Sequence, residues 1–306
     1  MKKKLIILLT FAATIILASY IFIPSKIKIS AIASGHANSK AAQRFLEDDT
    51  NWNKWWPGSK PFYFNEFDFR LTKKMLNAFE LQILDKKDSL TTLLKILPTD
   101  KDSITYLWSC EFECSKNPVT RLMQYFKATR IKESLDILIE HLKNNIAIEE
   151  NLYGFKVQSI KVSDSVLIST RRTFNHYPND TEIDSMIQLL RKYISSSHAV
   201  EKNYPMLNIH VEGTNNYVAM VAIATERLLP ANSIFSPKLV LKGGNVLEAS
   251  FTGGPAAIKK AFDNFENYRS DYGIQSPAIP YQLLITDRLK ESDTSKWVTK
   301  FYYPIF

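Results

Sequence analysis

Trp297, Tyr302 and Tyr303 lie in Lys296-Trp-Val-Thr-Lys-Phe-Tyr-Tyr-Pro-Ile305, and Tyr281 stands beside Gln282 in Ile279-Pro-Tyr-Gln-Leu-Leu-Ile-Thr-Asp287. Aromatic rings offer flat apolar faces with a polar handle, which suits noncovalent binding of small apolar or aromatic molecules. Strand alternation puts Trp297 and Tyr303 on one face and Tyr302 on the other. One of these faces is core and the other lines a groove; the sequence does not say which, and Tyr281 is open in the same way. Gln282 can hydrogen-bond, but an amide neither attracts a cation nor serves as a general base. Glu226 is the candidate carboxylate for the groove, although an exposed charge at a strand end is the commoner reason for such a residue. The candidate ligand-binding set is therefore Glu226, Tyr281, Gln282, Trp297, Tyr302 and Tyr303.

Other chemistry finds little support. His36, His141, His176, His198 and His210 are scattered, with no pair at helical spacing and no cysteine or carboxylate at metal-ligand spacing. Cys110 and Cys114 are too few for a four-thiolate site; in a continuous strand they stand about 13 Å apart at about 3.3 Å per residue, beyond disulfide reach. A disulfide would need the strand to end or bulge between them. Gly243-Gly244 reads as a hairpin turn, because no Lys-Ser or Lys-Thr follows to make a phosphate loop. Gly253-Gly254-Pro255 opens a helix but lacks the glycine pattern of a nucleotide site, and no Gly-x-Ser-x-Gly elbow exists. No catalytic residue, metal or cofactor is assigned.

The elements that must position these residues follow from composition and periodicity. With 306 residues, 45% apolar and 23% charged, the chain has the make-up of globular domains. Its net charge of +8 is scattered without a basic stripe, so nucleic acid is not an expected partner. Residues 5–23 are uncharged and broken only by Thr10, Thr14, Ser19 and Tyr20. As a helix they extend about 28 Å at 1.5 Å per residue, near the hydrocarbon thickness of a bilayer. They end in Tyr20-Ile-Phe-Ile-Pro24, a poor cleavage site. Residues 1–25 are thus expected to be a single uncleaved transmembrane anchor. Lys2, Lys3 and Lys4 place its start in the cytoplasm and the body of the protein on the extracytoplasmic side.

From Lys26 the sequence alternates as a strand to Ala33, and residues 39–47 read as a short helix. An aromatic loop, Asn51-Trp-Asn-Lys-Trp-Trp-Pro-Gly58, comes next, then strand-like runs at 62–71, 77–84, 91–97, 103–113 and 120–126. A helix with Ile131, Leu135, Leu138, Leu142 and Ile146 at helical spacing closes the region. This order resembles the START-like, polyketide-cyclase-type superfamily over residues 26–150. That resemblance implies a helix-grip antiparallel sheet, commonly with an apolar ligand between sheet and long helix. For Trp52, Trp55, Trp56 and Trp108, core packing is the preferred role and pocket lining the other.

Residues 155–306 repeat themselves. Thr181, with Asp184 as a capping-box partner, and Pro255 each begin a helix; Pro205 and Pro280 each precede a strand; Pro230 and Pro304 each close one. All three pairs are about 75 positions apart, which predicts a duplicated strand–helix–strand–strand (βαββ) unit with a groove between the copies. Phe251-Thr-Gly-Gly-Pro-Ala-Ala-Ile258, the segment around Pro280 and the Lys-Trp-x-Thr…Tyr-Pro ending resemble the gyrase-inhibitor-like, AraC-type effector-binding domains. Relatives bind small, often aromatic or cationic molecules in the inter-repeat groove, and many carry a glutamate where this chain has Gln282. The expectation is an α+β protein: an anchor, a helix-grip domain and a duplicated βαββ domain binding a small hydrophobic or aromatic ligand at the membrane. A hydrolase of small electrophiles in the same groove is the alternative, and an interaction module for another envelope protein is a third.

Overall fold

The computed structural model describes residues 14, 16, 20–59, 62–85, 88–214, 216–240, 242–276 and 278–305. Most of the expected anchor lies outside them, and among the described residues no helix is long and apolar enough to cross a membrane. The chain is an α+β protein with two antiparallel sheets, and it divides between Ile148 and Glu149 into two compact units.

The first unit contains β1 (Lys26–His36), α1 (Ser39–Glu47), α2 (Asp49–Trp55), β2 (Tyr63–Phe64), β3 (Phe67–Met75), β4 (Ala78–Asp85), β5 (Asp88–Asp100), β6 (Ser103–Glu113) and α3 (Pro118–Ile146). Its six-stranded sheet runs β1-β6-β5-β4-β3-β2. In β1 the alternation does what it predicts: Ile27, Ile29, Ala31 and Ala33 are buried, while Lys26 meets Glu111 of β6 at 2.6 Å on the wet face. The long helix packs on β1 and β6 through Ile131, Leu135, Leu138, Leu142 and Ile146.

All four tryptophans in question are buried. Ring centroids of successive pairs Trp52–Trp55, Trp55–Trp56, Trp56–Phe69 and Phe69–Trp108 lie 5.2–6.0 Å apart. The Trp52 indole donates to Leu46 O and that of Trp108 to Thr92 Oγ1, so these two rings are buried with their polar edge satisfied, whereas the buried Trp55 Nε1 makes no hydrogen bond among the described residues. Gly58 is required here, because a Cβ would fall 1.9 Å from Tyr63 O.

Two local expectations are corrected. Residues 49–55 form a helix, not a loop, because the Asp48 carboxylate accepts from Thr50 N and caps it. Residues 120–126 are the opening turns of α3, not a strand: Asn117 Oδ1 accepts from Val119 N and Thr120 N, and Pro118 occupies the first turn. Both cysteines are free; Cys110 sits within β6 and Cys114 just beyond its end.

The second unit contains α4 (Glu149–Tyr153), β7 (Val157–Lys161), β8 (Val166–Phe174), α5 (Asp180–Ser196), β9 (Met206–Glu212), β10 (Asn216–Ala224), β11 (Ser236–Leu239), β12 (Asn245–Thr252), α6 (Pro255–Asp271), β13 (Tyr281–Leu284) and β14 (Val298–Ile305). All eight strands make one sheet in the order β11-β8-β10-β9-β13-β14-β12-β7. The copies β8-α5-β9-β10 and β12-α6-β13-β14 therefore join edge to edge through β9 and β13. There Leu207 pairs with Gln282, its own equivalent in the other copy, which puts a pseudo-twofold axis through that pair. The strand before each copy is exchanged: β7 adds to β12, and β11 adds to β8.

The structure alters three sequence readings here. The cap of α5 is Asn179, not Thr181; it and Glu182 make the reciprocal capping box at 2.9 Å each way, while Asp184 bonds Gln188. Gly243-Gly244 is not a hairpin turn, since β11 and β12 lie at opposite ends of the sheet. Instead Gly243 N and Gly244 O pair with Val162, and the positive φ of Gly243 suits that crossing. The pairing of Pro230 with Pro304 is a coincidence of spacing: Pro304 is paired within β14, whereas Pro230 lies in the loop after β10.

Helices α5 and α6 cover one face of the sheet. Ile183, Met186, Ile187, Leu190 and Ile194 of α5 pack on Ile168, Leu207, Ala219, Val221 and Leu284. Leu190 is fully buried, so Leu190→Ala should cost about 2–5 kcal/mol through lost burial and a residual cavity. Urea unfolding of the full chain, followed by a signal from the second unit, should show its midpoint lowered.

Candidate functional site

Strand parity separates the two faces of the second sheet. Leu207, Ala219, Val221 and Leu284 point to the helices, so Met206, Asn208, Met220, Ala222, Tyr281 and Leu283 point to the other face. That face encloses a cavity of about 780 Å³. Its floor is the sheet, and residues 160–164, Ser233, Ile234, Ser236, Lys238, Val240 and residues 278–279 form much of its rim. The outer exchanged strands thus bound the cavity at both ends.

One cross-strand row runs along this floor. Gln158 pairs with Glu248, Glu248 with Tyr302, and Tyr302 with Tyr281; the β9–β13 register carries the row on to Asn208, then Met220 and Arg171. Tyr281 and Tyr302 are stacked with centroids 5.0 Å apart and planes 10° from parallel. Directly cross-strand aromatic pairs interact over most of a ring face, and this pair lays a flat apolar surface on the cavity floor. The row's pseudo-symmetry mate carries different residues: Ser236, Ser169, Ala222 and Met206 stand where Gln158, Glu248, Tyr302 and Tyr281 stand. The framework is twofold, but the chemistry is one-sided.

Glu248 is buried and fully engaged. It accepts from the Tyr302 hydroxyl, from Gln158 Nε2 at 2.7 Å and from Lys300 Nζ at 3.2 Å. Burial alone would raise its pKa, but these three donors hold it below the usual carboxylate range. Burial pushes the Tyr281 phenol up to about 12, helped by the charges of Asp164 and Glu248. Tyr302 is raised further, by burial and then by its bond to Glu248. Both phenols are neutral at physiological pH, and the carboxylate is ionised with its lone pairs committed. The site can bind and orient a molecule, and the Glu248 carboxylate is occupied by its three donors.

The polar side chains of floor and rim are also tied into the protein. Asp164 accepts from Asn203 Nδ2 at 2.7 Å, Asn208 donates to Pro280 O at 2.8 Å and faces His210 Nδ1 at 3.0 Å, and Arg171 pairs with Glu212 at 2.9 Å.

Of the six sequence candidates, Tyr281 and Tyr302 line the cavity. Gln282 does not: it neighbours Tyr281 in the strand and so faces the helix side. Tyr303 likewise packs against Phe265 of α6 and donates to Glu266. Trp297 donates its indole N–H to Glu291 O at 2.8 Å under the Arg288 guanidinium. Glu226 follows β10, lies 3.9 Å from Arg227 and is absent from the lining. The carboxylate beside the aromatics is Glu248, which the sequence reading passed over. Its signal is a lone charge flanked by Val246, Leu247 and Ala249, a position that demands partners.

No protein-family model and no curated protein matches the sequence. Among solved structures, the chain is similar to the EcmrR C-terminal domain, with 11% identity and TM-score 0.43 over 50% of this chain and 98% of that one. It is similar to SAV2435 bound to tetraphenylphosphonium, with 11% identity and TM-score 0.32 over 49% of this chain and 94% of that one. It is also similar to the di-domain aromatase/cyclase BexL, with 8% identity and TM-score 0.32 over 92% and 85%. All three likenesses are distant.

Because folding depresses the Glu248 pKa, its stabilising contribution is complete above the unfolded value of about 4.3 and is lost as pH falls through the lower folded value. Glu248→Gln should therefore destabilise the protein at pH 7 by about 1–3 kcal/mol, since Lys300 loses its buried anion. The deficit should shrink below pH 4, where the wild-type side chain itself takes up a proton. Unfolding midpoints measured from pH 7 to pH 3 check both parts.

Proposed function

We propose that the second unit is a receptor for a small apolar molecule bearing a flat ring, in the manner of the effector-binding domains its sequence resembles. The observation that carries this reading is the 780 Å³ cavity floored by the stacked pair Tyr281 and Tyr302. A cavity of that size suits a drug-sized ligand, and most of its floor is apolar side chain. Noncovalent capture is favoured over hydrolysis because the three donors on Glu248 lower its basicity, Asp164 is engaged by Asn203, and neither tyrosine ionises.

The charged residues around the cavity are Lys161, Arg171 and Lys238 against Asp164, and Lys300 neutralises Glu248. That balance favours a neutral ring compound over a lipophilic cation of equal size. The first unit belongs, in this reading, with the helix-grip domains it resembles. Residues 5–23 anchor the chain in a membrane, with Lys2, Lys3 and Lys4 on the cytoplasmic side.

Isothermal titration against matched neutral and cationic polyaromatics, tetraphenylphosphonium among the cations, tests the receptor. Neutral compounds should bind more tightly, Tyr281→Ala should weaken binding about tenfold or more, and Met220→Trp, which fills the groove, should abolish it while circular dichroism stays unchanged. Undiminished binding in Met220→Trp would move the ligand elsewhere, and no heat from any compound would remove the reading.

A further inference from the structure

The opening turns of α3 are unusual in what they leave uncovered. The helix buries Ala128, Ile131, Ser134, Leu135 and residues beyond them, but in its first ten positions only Arg121 is buried. Val119, Met123 and Phe126, at i, i+4 and i+7, make an apolar stripe on one face, and they are 64%, 67% and 58% exposed. Tyr125 is exposed nearby in sequence. Apolar side chains in water forgo about 25 cal/mol for each Å² of surface they could bury, so a stripe of this kind marks a contact.

A second apolar segment is tied to the same place. Tyr20, Ile21 and Phe22 are helical and exposed, Phe22 at 79%. The Tyr20 hydroxyl donates to Lys116 O, and the Arg121 guanidinium bonds Ile23 O while lying 5.2 Å over the Tyr20 ring. Cys114 N then donates to Ser25 O at 2.8 Å. These contacts fix the start of α3 at the point where residues 5–23 give way to β1. Lys116 and Lys28 stand close in sequence to these apolar segments, and Tyr20 and Tyr125 have the amphipathic rings that settle at a lipid–water boundary.

We propose that the first three turns of α3, together with residues 20–22, lie in the headgroup–acyl boundary of a bilayer, so that the first unit rests on lipid through this face. This rests on the reading of residues 5–23 as an anchor: a chain leaving the bilayer at Phe22 brings Val119, Met123 and Phe126 to the membrane surface with it. The stripe lies in the plane of the interface, as amphipathic surface helices do, and immobilises the unit against the membrane beyond what a single tether achieves.

The test uses the full chain, with Cys114→Ser, in vesicles of phosphatidylcholine and phosphatidylglycerol. Nitroxide labels are placed singly at Val119→Cys, Met123→Cys and Phe126→Cys, with Leu76→Cys, which is 87% exposed in the β3–β4 turn, as the aqueous reference. Collision with dissolved oxygen should exceed collision with a water-soluble nickel chelate several-fold at positions 119, 123 and 126, and the order should reverse at 76. If the chain floats with vesicles but the three labels behave like the one at 76, the anchor stands and lipid docking is overturned. Failure to float removes the anchor and this inference with it. Low access to both probes, with dipolar coupling between labels on different chains, would assign the stripe to a second copy and overturn lipid docking as well.

Discussion

Two strand–helix–strand–strand units become one object through the antiparallel bonding of β9 to β13. With Leu207 opposite Gln282 the copies are related by a half-turn, and a half-turn about an axis normal to the sheet keeps both helices on the same side. Among the described residues the opposite side then carries no helix of either copy, and the rims supplied by the β7–β8, β10–β11 and α6–β13 connections can close over it. Were the copies related by a half-turn in the plane of the sheet, each face would carry one helix and no broad concavity would remain. The breadth of the cavity depends on this junction, whereas the stacked tyrosines and the buried glutamate are built within the second copy.

Much of the architecture was legible because it rests on local periodicity. The alternation of β1, the spacing of Ile131, Leu135, Leu138, Leu142 and Ile146, and the doubled helix-then-strand landmarks each follow from how apolar residues must face a core. What failed required knowledge of partners. The head of α3 reads as a strand because Val119, Met123, Tyr125 and Phe126 are apolar without a covering core. Gly243-Gly244 reads as a hairpin unless one knows that its flanking strands pair at opposite ends of the sheet.

The site was less legible than the fold, for a reason inherent in strands. A one-residue displacement turns a side chain to the other face, so Tyr281 and Gln282, or Tyr302 and Tyr303, have opposite fates that composition cannot distinguish. Only the register decided that Tyr281 and Tyr302 belong together in the cavity. The same register showed Glu248 beside Tyr302, whereas the sequence offers Glu226 only as a candidate whose commoner role is an exposed strand-end charge. A carboxylate sequestered by three donors also carries a different chemical meaning from one aimed at a ligand: it stiffens the tyrosine it holds.

The exchanged strands have a consequence for how the two halves could diverge. Each half lends an edge to the other, as two separate chains would do in an intertwined dimer, but here the linkage is covalent and independent of concentration. Assembly no longer demands that both halves be identical, since no second molecule must match the first. One half can therefore carry Ser169, Ala222 and Met206 where the other carries Glu248, Tyr302 and Tyr281, an asymmetry that a self-associating half-length chain could not encode.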